Sequence, residues 1–347
     1  MKYMGTKTKL LSWLFRHVNR HAQALGLKPN ETVFMDACCG SGAVTVKAAT
    51  EGYKVVSNDL LRFAYHVARG KTCLPPGKLA EARELIFQIN ALPPVQGHFY
   101  KSYSPAGGRM FLHEENAVRV DAARAFIQGV QDPDLQSYLY YCLIEALSRV
   151  DNTVGVQAAY LKSWRREAMH PLVLLDEPRV WHGGGRVFNR DLLELLDDSE
   201  LRVGGPEEIL YIDPPYVSRE YAPNYHLYEA AVAAKDPVVR GVTGLPEEYP
   251  RSEFCGRVDT VEAFLGRILE RTQAQLVVIS YSSDSTVPLH RMTSLMLQKG
   301  YENVEVQAES YQRYRADNAE DREYNSELLQ EYLIIGRPTG REIANLF

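Results

Sequence analysis

The chain is poor in the features that mark secreted, membrane-spanning and metal-bound proteins. Its 347 residues hold five cysteines, Cys38, Cys39, Cys73, Cys142 and Cys255, an odd number with neither a disulfide framework nor a zinc-like spacing. The nine histidines show no metal-ligand spacing with cysteine or acid, so no metal is expected. The opening residues lack the succession of charge, apolar run and small-residue cleavage site that marks a leader. A soluble protein of the reducing cytoplasm is the expectation. No apolar run approaches the ~20 residues that cross a bilayer, and the longest, around Leu276–Ile279, is the length of a strand. Internal repeats and low-complexity tracts are absent as well.

A net positive charge is also missing. A formal net charge of −5 gives no overall attraction for a phosphate backbone, whose affinity comes from Lys and Arg displacing counterions. Local clusters matter more than the total. Three stand out: Lys2, Lys7 and Lys9; Lys162, Arg165 and Arg166 around Trp164; and Arg313-Tyr314-Arg315. The acidic run Asp197-Asp198-Ser199-Glu200 suits a solvated far side.

What is present is an alternation of strand and helix patterns. Leu10, Leu11, Leu14, Phe15 and Val18 recur at helical spacing between Lys9 and Gln23. Thr32–Met35 reads as a short buried strand running into the glycine-bearing turn Asp36–Gly42, then a helix over Ala43–Thr50 and a strand over Lys54–Ser57. That succession is the unit of a parallel α/β sheet. Ile209–Ile212, Leu276–Tyr281, Val304–Gln307 and Tyr332–Ile335 read as further strands, with helices near Val261–Leu269 and Leu289–Leu297. Between the halves, helical patterns at Leu79–Ile89, Ala117–Val130 and Leu135–Leu147 are broken by Pro/Gly segments. The expected organisation is one α/β domain, residues 1–73 and 185–347, interrupted by a mainly helical insertion, 74–184. Two stretches of the insertion, His98–Tyr103 and Tyr160–Arg166, read as loops mixing aromatic and basic residues. Such loops suit backbone phosphates and base stacking, or simply cover a helical core.

The sharpest local signal is Tyr211-Ile212-Asp213-Pro214-Pro215-Tyr216. With proline at ~5% of residues, the last four of these arise by chance in about one chain in several hundred of this length. Prolines fix φ and remove donors, leaving rigid carbonyl acceptors at the carboxyl edge of the sheet, where open α/β folds bind ligands. An amine could donate one hydrogen to Asp213 and the other to the Pro214 carbonyl while Tyr216 stacks on the attached ring. A proline-stiffened strand exit with a capping Asp is the simpler alternative. The Asp36–Gly42 turn, with Gly40 and Gly42, lets a ligand approach backbone at a helix N-terminus. It is not the dinucleotide fingerprint, because Val44 and Thr45 stand beyond Gly42. Asp59 follows the second strand, where an acid can accept both hydroxyls of a ribose or cap a helix over Leu60–His66. Loop and acid together suit a nucleoside cofactor.

In order and spacing, Lys2-Tyr3-Met4-Gly5-Thr6-Lys7, the Asp36–Gly42 loop, Asn58-Asp59 and Asp213–Tyr216 resemble the adenine-N6 DNA methyltransferases that include the bacterial Dam methylase. The resemblance covers the first ~70 residues and most of the second half, and is weaker from Asn152 to Trp164. It implies a Rossmann-like fold dependent on S-adenosyl-L-methionine, with the helical insertion as target-recognition subdomain. By position, Tyr3 and Lys7 resemble opening-segment cofactor contacts, Asp59 the ribose acid, and Asp191 and Leu192 the pair beside the cofactor's adenine. Asp36, Cys38, Gly40 and Gly42 complete the expected cofactor set. The chain departs at Ala37-Cys38, where the family has proline then phenylalanine. Lys162, Trp164, Arg165 and Arg166 are the expected nucleic-acid contacts.

The implied substrate is an adenine flipped out of duplex DNA, its amine attacking the methyl group directly once positioned. A cognate restriction or defence-system protein is a candidate partner. Alternatives stay open at this point: an RNA or other amino-group methyltransferase, or a non-catalytic nucleic-acid binder. Cytosine-C5 chemistry through Cys38 or Cys39 lacks its proline-cysteine motif.

Overall fold

The computed structural model describes residues 1–181, 183–202, 207–215, 218–312 and 328–339. Strands form where short apolar runs are bounded by turns: β1 (Val33–Asp36), β2 (Lys54–Asn58), β3 (Arg186–Phe188), β4 (Ile209–Ile212), β7 (Leu276–Ser282), β8 (Tyr301–Gln312) and β9 (Leu328–Pro338). They make one sheet in the order β3-β2-β1-β4-β7-β9-β8. A separate two-stranded hairpin joins β5 (Val239–Arg240) to β6 (Leu245–Pro246). From β3 to β7 the main sheet is parallel, while β9 runs antiparallel to both β7 and β8. β1 and β4 are buried at every residue, as strands covered on both faces must be.

The covering layers follow from the helical patterns. α1 (Leu11–Ala24) and α2 (Ala43–Thr50) close one face, where Leu14, Phe15, Val18 and Ala48 meet Phe34, Tyr211 and Leu333. On the other face lie α8 (Leu192–Asp197), α10 (Val258–Arg271) and α11 (Leu289–Gln298), packing Leu195, Phe264, Ile268 and Met296 against Met35, Leu210 and Ile279. A third core joins α3 (Arg62–Thr72) and α9 (His226–Val232) to α4 (Leu79–Asn90), α5 (His98–Tyr103), α6 (Glu114–Gln128) and α7 (Pro133–Val150). α7 starts on Asp132, whose carboxylate accepts the amides of Asp134 and Leu135, with Pro133 in the first turn. Burying each Leu or Phe of these cores stabilises the fold by about 1.5–3 kcal/mol.

Two sequence expectations change. His98–Tyr103 is a short helix, not a loop, because Asp121 accepts the amides of Gly97, Phe99 and Tyr100 at its start. Phe99 and Tyr103 are buried in the helical core and are not placed to stack on bases. The strand Arg186–Phe188 was not anticipated, since three residues carry too little periodicity to be read.

Candidate active site

The carboxyl ends of β1 and β4 lie side by side, with Asp36 opposite Tyr211 and the Ala37 amide donating to the Tyr211 carbonyl at 2.9 Å. β1 carries β2 on its other side, so the strand order reverses here, the place where open α/β sheets bind ligands. A cleft open to solvent occupies this point. Its wall brings together Tyr3, Lys7, Asp36, Cys38, Gly40, Asp59, Asp213, Pro214 and Pro215, nine residues drawn from four separated segments. Tyr216 lies outside the described residues, as does the cluster Arg313-Tyr314-Arg315.

Asp36 and Asp59 build one end of the cleft. Thr45 Oγ1 donates to Asp36 Oδ2 at 2.7 Å, while Asp36 Oδ1 is buried with no hydrogen-bond partner among the described residues. Burial pushes the Asp36 carboxyl up to about 7. Asp59 braces the glycine loop: its Oδ2 accepts the Gly40 amide at 2.8 Å and its Oδ1 the Leu61 amide at 2.9 Å. Burial nonetheless pushes it up to about 6, outweighing those amides. Gly40 sits at φ +47°, and a Cβ there would stand 2.5 Å from Tyr3 Oη. Only glycine allows this approach. Tyr3 in turn stacks on Tyr225, with centroids 4.8 Å apart and planes 10° apart, and the Met4 amide donates to Tyr225 Oη at 2.8 Å. The opening segment is thereby strapped across the cleft. Burial holds the Cys38 and Cys39 thiols well above their ordinary value, which suits inert packing and not a nucleophile.

At the other end Lys7, only 4% exposed, reaches Asp213 Oδ1 at 2.9 Å and Glu331 Oε1 at 3.1 Å. Burial works against its charge, but the two carboxylates outweigh it and raise its pKa. Ser280 Oγ donates to the same Glu331 oxygen at 2.6 Å. Glu331 escaped the sequence reading. Its signal was an acid sharing one strand face with Leu333 and Ile335, all three fully buried. Tyr221 and Phe254 also line the cleft; as ordinary core-type aromatics they carried no signal.

The model of the D12 class N6 adenine-specific DNA methyltransferases matches residues 3–295. The chain belongs to this family. Among its relatives, the type II methyltransferase M.NlaIII of Neisseria lactamica is 31% identical, across 96% of this chain and 98% of its own length. M.CviAII of Paramecium bursaria Chlorella virus 1 is 32% identical, across 90% and 92%. M.FokI of Planomicrobium okeanokoites is 29% identical across 92% of this chain, which spans 50% of that longer protein. The chain is therefore an adenine-specific DNA methyltransferase with a Rossmann-like sheet, and DNA is its substrate.

Several charges of this methyltransferase stand differently from their reading in the sequence. Lys2 and Lys7 do not join Lys9 in a basic surface: Lys2 Nζ pairs with buried Asp151 at 2.6 Å, and Lys7 is enclosed with Asp213 and Glu331. The buried carboxylates of Asp151 and Glu331 draw these ammonium groups inward. Lys162 and Arg166 are exposed, and Trp164 is half-buried edge-on to His113 at 5.7 Å. Arg165 turns partly inward, donating to the Arg149 carbonyl at 3.1 Å near Asp151. Gly42, at φ +71°, shapes the turn into α2 without lining the cleft. Asp191 caps α8 by accepting the Leu193 and Glu194 amides, and Leu192 is buried below the sheet. Neither residue is among those lining the cleft. Their segment does abut Asp59, whose carbonyl accepts from Asn189 Nδ2 at 2.8 Å. His226 is a packing residue, buried between Tyr103 and Phe111.

Proposed function

We propose that the methyl donor is S-adenosyl-L-methionine, held along the cleft from Asp59 to Asp213, and that Asp213-Pro214-Pro215-Tyr216 clamps the adenine. The observation that carries this is the convergence of Asp36, the Gly40 turn and Asp59 on one cleft with the Lys7–Asp213 pair. The residues fit the donor. Asp36 Oδ1, buried and without a partner among the described residues, suits a cationic amino group. The bare backbone of Gly40, with no room for a Cβ, suits close approach of a planar or chain-like ligand. Asp59 keeps acceptor capacity on both oxygens for a ribose.

S-adenosylmethionine supplies a methyl group on a positively charged sulfur, so the adenine amine can take it directly and no protein nucleophile is called for. Asp213 and the Pro214 carbonyl accept the two N6 hydrogens and so aim the nitrogen lone pair; Pro215 stiffens the loop, and Tyr216 stacks on the base. Positioning of this kind supplies much of the acceleration. The adenine reaches the clamp by leaving the duplex stack. Residues 74–184 act as the target-recognition subdomain inserted into a catalytic domain of 1–73 and 185–347, with Lys162, Trp164, Arg165 and Arg166 on its DNA side. Of these, Lys162 and Arg166 meet phosphates, while Arg165 braces the loop. The enzyme works in the cytoplasm, on nucleoid DNA, beside a cognate restriction or defence-system protein.

The test is transfer of labelled methyl from S-adenosylmethionine to duplex DNA, single-stranded DNA and RNA, followed by digestion to nucleosides. Label in N6-methyldeoxyadenosine from duplex DNA is expected. Asp213→Ala should abolish it while leaving the fold intact. Retained turnover removes the clamp.

A further inference from the structure

We propose that Glu331 is a positioning residue for methyl transfer, sharing the Lys7 ammonium with Asp213 and so fixing the charge and orientation of the carboxylate that receives the adenine amine. The inference rests on the Asp213 clamp proposed above. Residue 331 lies beyond the segment that the family model covers.

The geometry is a chain of charge anchored in the sheet. β9 pairs with β7, placing Glu331 opposite Ser282 and within reach of Ser280, whose hydroxyl fixes Oε1. That oxygen and Asp213 Oδ1 hold Lys7 Nζ between them at 3.1 and 2.9 Å. Lys7 follows an exposed stretch, Met4–Thr6, and Asp213 stands on a loop, so Glu331 is the member of the trio that a paired strand makes rigid. A lysine needs one carboxylate to be neutralised. The second adds desolvation cost and leaves the trio with an excess negative charge, an arrangement that favours a positively charged methyl donor.

Neutralising Glu331 has two consequences. The ammonium falls wholly on Asp213, which becomes a poorer acceptor for the N6 hydrogen. Lys7 also loses one of the charges that keep its proton on, and burial then favours the neutral amine. The other groups facing this cluster include Asp36 from β1, Tyr211 from β4, Tyr3 and Asp59 across the cleft, and Cys38 and Tyr221, whose thiol and phenol burial holds far above their ordinary values. Asp36 and Asp59 ionise near 7 and 6, whereas burial holds the Tyr3 and Tyr211 phenols far above their ordinary value. An alkaline limb in the pH profile therefore reports Lys7, whose proton the two carboxylates hold on.

The experiment measures kcat and donor KM for the whole chain on duplex DNA from neutral to alkaline pH. Wild type should be flat. Glu331→Gln should lower kcat about tenfold, leave donor KM within roughly threefold and bring in an alkaline limb at a pH where wild type is still flat. Glu331→Asp, which keeps the charge, should push that limb back up. The proposal is overturned if Glu331→Gln has wild-type kcat and pH profile, or if Gln and Asp variants lose activity equally with no change of limb. If Glu331→Gln does not fold, Ser280→Ala takes its place; it frees Glu331 from its anchor while keeping the charge, so kcat should fall with donor KM and the alkaline profile unchanged, and a wild-type kcat overturns the proposal. Activity surviving in Asp213→Ala removes the clamp itself. An inactive Asp213→Ala beside an unaffected Glu331→Gln removes only the role of Glu331.

Discussion

Replacing Asp36 with Asn should stabilise the ligand-free protein at pH 8 and weaken its hold on the methyl donor. Asp36 is 1% exposed, has one oxygen on Thr45 and the other without a hydrogen-bond partner among the described residues. Burial places its folded pKa at about 7, against an ordinary value near ~3.9 in the unfolded chain. The folded chain thus binds this proton more tightly, so the contribution of Asp36 to stability falls as pH rises from about 4 to about 7 and is level above. At about 1.4 kcal/mol per pH unit between the two values, the ionised group costs roughly 4 kcal/mol at pH 8 and roughly 1.5 kcal/mol at pH 5. Asn keeps an acceptor for the Thr45 hydroxyl and carries no charge. Urea unfolding of both proteins at the two pH values isolates the effect, since the other titrating groups are common to both. The variant should gain about 2–3 kcal/mol on wild type between pH 5 and pH 8. A stability difference that does not change with pH would refute the reasoning. Such a gain, paired with weaker donor binding, is the signature of a site that trades stability for function.

Asp59→Ala should weaken S-adenosylmethionine binding by about tenfold or more, since it removes the ribose acceptor and the brace on Gly40 together; titration calorimetry reads this directly, and an unchanged affinity rejects the ribose assignment. Gly40→Ala drives a Cβ into the Tyr3 ring at φ +47° and should cost about 1–3 kcal/mol in thermal or urea unfolding, with a matching loss of donor affinity. Lys162→Ala with Arg166→Ala should weaken DNA binding and reduce the slope of log affinity against log salt by about one per lost phosphate contact. Arg165→Ala, by contrast, should lower stability through its loss of the Arg149 carbonyl and Asp151, a difference that melting curves in the absence of DNA will register.

The local chemistry was written in the chain. Strands β1, β2, β4, β7 and β9 and the longer helices announce themselves by apolar period, and the Asp36–Gly42 turn, Asp59 and Asp213–Tyr216 by residue types that are rare in that order, because these features depend on neighbours within a few positions. What depends on distant neighbours was not legible. Lys2 and Lys7 look like surface charge until Asp151, Asp213 and Glu331 are brought to them from up to 324 residues away, and His98–Tyr103 looks like a loop until Asp121 caps it. Asp191 also caps α8, a role that only the fold reveals. Sequence by itself determined which chemistry this protein carries and the order of its parts. Only the tertiary structure decided which charges face solvent and which are buried in pairs, because desolvation and Coulomb energy depend on three-dimensional distance and burial, and neither is a property of a residue alone.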